Sequence, residues 1–290
     1  MAFNLQTFKT RALTAIIFVA VMLAGLLWNH WSFFVLFSII HFGCWWEFLR
    51  LIEKIYATAL HVYVKLGLML IGFGLMLLFC GPVYQIAGYG LKANLSLPVS
   101  VAGFILLVTG IFQKYKVDLK TYGAASLGLV YISLSWGLMI SLRSQDIAIS
   151  GEEGGQYLQS IGKTIPMLIV FSIWINDTLA YIVGSFLGKT PLSKISPKKT
   201  WEGTIGGIIL CVIVISLLFQ PLLHWKYLLF ISIIAAVTGT FGDLLESKLK
   251  RMAGVKDSGR IMPGHGGFLD RFDSLVFATP FVWLFIYLIP

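Results

Sequence analysis

Residues Ile169–Phe186 read IVFSIWINDTLAYIVGSF, an apolar run with Asp177 set near its centre. A helix needs roughly 20 mostly apolar residues to cross a bilayer, and this run supplies them. A carboxylate in the middle of such a helix costs about 2.5 to 3.5 kcal/mol on insertion scales, so some interaction must compensate it. At helical spacing Asp177, Tyr181, Gly184 and Gly188 share one face, lining a single stripe with an acid, a phenol and two close-approach glycines. The stripe reads either as a ligand-facing acid or as a helix-packing face with one interhelical hydrogen bond.

The rest of the chain has the same character. Of its 290 residues 58% are hydrophobic and 12% charged, and the mean hydropathy of +0.85 excludes an ordinary soluble domain. Nine apolar runs fall near 12–28, 31–46, 64–82, 98–113, 123–142, 165–188, 203–221, 226–244 and 274–290. The expected fold class is therefore an all-α integral membrane protein with about nine transmembrane helices. The second and fourth runs are short, which suits tilted or re-entrant segments. The first follows Lys9 and Arg11 like a secretory signal. It is long, has no clear cleavage site and precedes further spans, so it reads as a retained helix.

With nine spans, 18 of the 22 lysines and arginines fall on one alternate set of flanking segments. The positive-inside rule then puts the N-terminus in the cytosol and the C-terminus outside. The net charge of +9 is spread over five membrane-flanking segments and forms no groove, which argues against nucleic acid as a partner. Cys44, Cys80 and Cys211 lie inside apolar runs without ligand spacing and read as packing residues.

Residues 1–164 form an N-terminal set of spans with no intramembrane acid and no cluster of glycine, acid and base. The loop 143–164, with Asp146, Glu152 and Glu153, reads as a solvated connection. Residues 165–290 differ, because polar groups now sit inside or at the ends of apolar helices and in two basic cytosolic loops, 189–202 and 245–273. This half is the expected catalytic region. A fixed-period repeat is absent.

The stripe helix runs into Gly184–Thr190, GSFLGKT, one residue short of the phosphate loop G-x-x-x-x-G-K-[ST], with Val183 where the first glycine belongs. A phosphate loop leaves a strand and enters a helix, whereas this stretch ends a membrane helix and continues into Pro191, so the likeness is accidental. Lys189, Lys194, Lys198 and Lys199, with Ser193, Ser196, Thr200 and Thr204, are nonetheless what a polyphosphate or lipid phosphate requires. Topology alone would also favour the lysines, but it does not demand Pro197, Trp201 and Glu202 beside them.

The strongest signal is residues 238–274, TGTFGDLLESKLKRMAGVKDSGRIMPGHGGFLDRFDS. Asp243, Glu246, Ser247 and Lys250 fall on adjacent turns at the cytosolic end of the eighth span. Lys256, Asp257, Gly264, His265, Gly266, Gly267, Asp270, Arg271 and Asp273 precede the ninth. Acids at the ends of two membrane helices suit a shared divalent ion. Hard oxygen ligands favour Mg²⁺, which takes substrate phosphates as further ligands. The glycines let backbone approach a ligand, and Lys or Arg would face its phosphates.

Here the chain resembles the phosphatidate cytidylyltransferases, also called CDP-diglyceride synthetases. Ser247, Leu249, Lys250, Arg251, Lys256, Asp257, Gly259, Pro263, His265, Gly266, Gly267, Asp270, Arg271 and Asp273 match that family's signature in order and spacing. The likeness extends upstream through NDTLAYIVGSFLGKTPLSKISPKKTWEG and covers about the last 130 residues strongly. Met262 is a conservative departure, where Leu, Ile or Phe is more usual.

The resemblance implies transfer of a cytidylyl group from CTP to phosphatidic acid, giving CDP-diacylglycerol and pyrophosphate, with Mg²⁺ and a monovalent cation such as K⁺. By that similarity the expected metal ligands are Asp243 and Asp270, followed by Asp177 and Asp273. The expected catalytic residues are Asp243, Asp270, Lys250, Arg251, His265 and Arg271. Substrate contacts are expected from Asp177, Tyr181, Ser196, Lys198, Lys199, Thr200, Lys256, Asp257, Gly266 and Gly267. The implied setting is a multi-pass enzyme, in a bacterial plasma membrane given the short loops, with its active site facing the cytosol and a homodimer as its assembly. The rivals are an ion or solute transporter, motivated by Asp177 and Asp243 within apolar helices, and a CTP-dependent lipid kinase, which would move the γ-phosphoryl group instead.

Overall fold

A computed structural model describes residues 5–113, 118–144, 147–150, 156–159, 161–259 and 266–288. The chain forms α1 (Leu5–Leu27), α2 (His30–Tyr56), α3 (Val62–Leu77), α4 (Leu91–Asn94), α5 (Ser96–Ile111), α6 (Leu119–Ser126) and α7 (Ser135–Arg143). There follow α8 (Thr164–Leu187), α9 (Trp201–Phe219), α10 (Trp225–Met252) and α11 (Leu269–Leu288). Among the described residues strands are confined to two antiparallel pairs, β1 (Gln85–Ile86) with β2 (Tyr89–Gly90) and β3 (Ile147–Ser150) with β4 (Gln156–Gln159).

The protein is thus a nearly all-helical, multi-pass membrane protein. Among the described residues seven helical segments are long and apolar enough to cross a membrane, and Ala12–Leu27 and Val62–Leu77 are shorter apolar helices. The second run is longer than its apolar letters suggest. α2 continues for 27 residues, because Glu47, Arg50, Glu53 and Lys54 extend the helix without breaking its period. The connection over 143–164 carries the β3–β4 hairpin; Asp146, Glu152 and Glu153 lie outside the described residues.

The chain divides into two compact units. The first comprises residues 1–140 and 249–272. Within it α3 packs along α5 and α1 along α2. A π-helical turn over Leu129–Leu134 aims Ser133 at α2, where its hydroxyl meets His41 Nε2 at 3.0 Å and accepts the Trp45 indole N–H at 2.8 Å. All three residues are buried, so the extra residue in the turn serves a buried polar node.

The second unit comprises residues 141–248 and 273–290. Its α8 and α9 lie in close contact. A Cβ on Gly207 would stand 2.7 Å from Ala180 Cβ, so only glycine allows this approach. Cys211, fully buried, directs its thiol at the Ser172 carbonyl, 3.2 Å away. Cys44 and Cys80 are buried as well and form no disulfide, in keeping with packing roles.

Candidate active site

Two polar groups stand out, one in each unit. In the second unit Asp243 and Glu246 lie one turn apart on α10, and Asp273 projects from the first turns of α11. One carboxylate oxygen from each lies within 4.8 Å of the others. Glu246 and Asp273 are buried and Asp243 is half-buried. Gly242 lets the helices meet, since a Cβ there would stand 2.6 Å from the Asp273 carbonyl oxygen. Three acids this close repel one another, and the low dielectric of a helix interface strengthens the repulsion.

Part of that charge is answered by Lys199, whose ammonium pairs with Asp243 Oδ2. Asp177 of α8 feels the charges of both Lys199 and Asp243. The helix stripe therefore divides. Asp177 belongs with the acids, while Gly184 and Gly188 pack on Thr200, whose Oγ1 would lie 3.1 and 2.6 Å from added Cβ atoms. Tyr181 is 76% exposed.

The loop holding Lys199 is folded back on itself. Glu202 accepts the backbone N–H groups of Lys189 and Thr190, both at 3.1 Å. Trp201 N donates to Thr190 O at 2.9 Å and Leu192 N to Lys199 O at 2.7 Å. Thr200 caps α9 by accepting from Gly203 N at 3.2 Å. Glu202 and Trp201 thus act by closing the loop. Ser196 is half-buried, while Lys194 and Lys198 are exposed.

The first unit holds the other group. Lys250 Nζ lies 2.6 Å from Asp270 Oδ1, and Asp270 Oδ2 accepts from Ser258 N and Gly267 N, both at 2.8 Å. Asp270 was expected among the metal ligands. In this structure its carboxylate meets an ammonium and two backbone donors that fix the turn before α11. Gly266 has φ of +85°, and a Cβ there would meet Asp270 Oδ2 at 2.7 Å, so this position requires glycine.

Behind Asp270 stands Glu47, a buried carboxylate of α2. It accepts from Ser258 Oγ at 2.7 Å, Phe268 N at 3.0 Å and Leu269 N at 2.9 Å. Ser258 Oγ is also 2.9 Å from Asp270 Oδ2, so one hydroxyl bridges two acids. Added Cβ atoms on Gly259 and Gly267 would overlap the Glu47 carboxylate. Glu47 thus places a buried acid among the first 164 residues, tied to the turn before α11. The apolar run was cut at residue 46, but the helical period continues and puts Glu47 on the buried face of Ile40, Cys44 and Leu51.

Glu47 and Ser258 were not singled out from sequence as site features, and Glu246, placed beside Asp243, was not named among the expected ligands. An acid in register with a buried helix face was the available signal for Glu47. Arg251, Lys256, Asp257 and Arg271 are exposed. Met262, Pro263 and His265 lie outside the described residues.

A multi-pass helical membrane protein with a buried acid trio in one unit and a buried Glu–Ser–Asp–Lys network in the other defines a membrane protein equipped for chemistry on charged groups. The chain belongs to the cytidylyltransferase family, whose model matches residues 9–289. It is 35% identical over 207 residues to phosphatidate cytidylyltransferase 4, chloroplastic, of Arabidopsis thaliana, covering 67% of this chain and 53% of that protein. It is 38% identical over 189 residues to the phosphatidate cytidylyltransferase of Bacillus subtilis, covering 64% of this chain and 65% of that one. A third relative, the phosphatidate cytidylyltransferase of Synechocystis, is 44% identical over 132 residues, covering 44% of this chain and 45% of the relative. The chain spans roughly half to two thirds of the length of these relatives.

Proposed function

We propose that the protein transfers the cytidylyl group of CTP to phosphatidic acid, giving CDP-diacylglycerol and pyrophosphate. The observation that carries the reading is the gathering of Asp243, Glu246 and Asp273 in a chain of the cytidylyltransferase family. A phosphatidate oxygen attacks the α-phosphorus in line and forms the new P–O bond. The α–β anhydride bond breaks, and pyrophosphate leaves with its electron pair. Such transfers depend on positioning and electrostatics, and no covalent enzyme intermediate is needed.

Three hard carboxylates within 4.8 Å of one another fit Mg²⁺. Asp243, Glu246 and Asp273 would hold it, and bound there it supplies positive charge to the phosphate oxygens and the leaving group. Lys199 restrains Asp243 and adds a cation beside the acids. Asp270 acts with Lys250 and Ser258 to hold the turn into α11. Lys198, Arg251, Arg271 and Lys256 are exposed cations suited to phosphates, and a monovalent ion such as K⁺ accompanies Mg²⁺. The reading includes nine spans, a cytosolic N-terminus, an external C-terminus, a cytosol-facing site in a bacterial plasma membrane, and a homodimer.

The test uses purified protein with phosphatidic acid, Mg²⁺, K⁺ and CTP labelled in turn at the α and γ phosphates. Label from α in lipid, with γ label in pyrophosphate, is the expected result. Label from γ in lipid would make the protein a kinase. Reporter fusions in the 189–202 loop should report the cytosol, and an external signal would overturn the topology.

A further inference from the structure

The first unit contains a cavity of about 790 Å³ at the end of α2, walled by residues 50–59 and by 255–259 beyond α10. Five of its twelve lining residues are charged: Arg50, Glu53, Lys54, Lys256 and Asp257. We propose that this cavity takes the triphosphate-bearing part of the nucleotide substrate, with Arg50 and Lys54 of α2 and Lys256 of the facing wall as its phosphate contacts. The proposal rests on the cytidylyl-transfer reading and places nucleotide contacts on the N-terminal helices, where no motif points to them.

Charge is the first argument. Glu53 is already engaged, since Lys65 Nζ lies 2.8 Å from its carboxylate and Leu60 N donates to it at 2.8 Å. That leaves three cations against Asp257. The cavity lies at the C-terminal ends of two helices, whose carbonyls would repel an anion if left open. Both ends are closed by backbone donors: Ala57 N and Thr58 N cap α2, and Ala253 N and Val255 N cap α10. The side-chain cations therefore decide the sign of the field. Arg50 is steadied by stacking on Trp46, with its guanidinium 5.8 Å from the ring centroid, which limits the entropy lost on gripping a phosphate.

Rigidity and size are the second argument. Ser258 forms part of the wall, and its N–H and hydroxyl are tied to Asp270 and Glu47. The wall is thus set before a ligand arrives, which reduces the cost of binding. A phosphate could belong to a nucleotide or to a lipid headgroup. Leu51 and Val255 are the large apolar side chains in the lining, too few to cradle acyl chains. The volume falls in the range of about 300 to 1,000 Å³ typical of small-molecule sites.

The experiment uses full-length protein in detergent and the variants Arg50→Gln, Lys54→Gln and their double. Steady-state kinetics varies CTP at saturating phosphatidic acid, then the reverse. Equilibrium dialysis measures α,β-methylene-CTP directly. The double variant should raise KM for CTP and the analogue's Kd by about ten- to a hundredfold, as expected for two lost charge-assisted contacts. KM for phosphatidic acid should stay within about twofold, since the lost contacts are not lipid contacts. Lys54→Arg, which keeps the charge, should recover most of the CTP affinity. If only KM for phosphatidic acid rises, the cavity serves the lipid headgroup and the proposal fails; if neither constant moves, it fails outright. Wild-type protein that transfers no cytidylyl group would refute the activity, whereas analogue binding that depends on Arg50 and Lys54 would still support the cavity assignment.

Discussion

Replacing Glu47 tests whether an acid in the N-terminal half holds the turn that begins α11. Its carboxylate accepts three hydrogen bonds, from Ser258 Oγ, Phe268 N and Leu269 N. In Glu47→Ala the Ser258 hydroxyl still has Asp270 Oδ2 at 2.9 Å, but the two backbone N–H groups lose their acceptor. Each unsatisfied buried donor costs about 1 to 3 kcal/mol, and the vacated volume adds to that. Two such donors give an expected loss of about 2 to 6 kcal/mol. Glu47→Gln keeps the shape and one acceptor but turns an NH₂ toward a donor, so about 2 kcal/mol is expected. Thermal unfolding in detergent should rank the proteins wild type, Gln, Ala, and hydrogen exchange should accelerate at the amides of Phe268 and Leu269. An Ala variant with unchanged melting temperature and unchanged protection at those two amides would refute the reasoning.

Asp243→Asn, Glu246→Gln and Asp273→Asn should each lower Mg²⁺-dependent turnover at least about a hundredfold with the fold retained, because a hard ligand is lost from the trio. Near-normal turnover at saturating Mg²⁺ for any of them removes that residue from the site. Cys211→Ser should leave turnover nearly intact, since a hydroxyl can keep the hydrogen bond to Ser172 O; loss of activity in a folded variant would contradict a packing role. Asp118 caps α6, and the Thr121 hydroxyl beside it, with the N–H groups of Lys120 and Thr121, holds its carboxyl below the usual range. A lowered folded pKa stabilises above the unfolded value of about 3.9 and is lost as pH falls through the folded one. Acid titration of α6 stability should therefore show a step below about pH 4 that Asp118→Asn, still a good cap, abolishes.

The helical membrane character was legible because apolar runs near the span length dominate the sequence. The limits of that signal show at α2. Hydropathy sees the run end near Trp46, while the helix goes on to Tyr56, since backbone hydrogen bonding is indifferent to whether the next side chain is Phe or Glu. Period, not hydropathy, carries the information beyond that point. The same holds for the stripe on α8, where spacing grouped Asp177, Tyr181, Gly184 and Gly188. The face is wide enough for the acid to meet Lys199 and Asp243 electrostatically, the glycines to meet Thr200, and the phenol to meet neither.

The acids show a second limit. Along the chain Asp243, Glu246, Asp270 and Asp273 are equivalent candidates, and spacing puts each pair one turn apart on its own helix. What separates Asp270 from Asp273 is the company each keeps after folding. Asp270 sits where the backbone N–H groups before α11 are still unspent, and Ser258 N, Gly267 N and Lys250 occupy it. Asp273 lies one turn further in, where the helix's own carbonyls have taken most N–H groups, and a carboxylate oxygen of it lies within 4.8 Å of those of Asp243 and Glu246. An acid at a helix start is drawn toward the free N–H groups there, whereas an acid one turn later can face the acids of a neighbouring helix. That difference, rather than the motif itself, ties Asp270 to the turn before α11 and gathers Asp273 with Asp243 and Glu246.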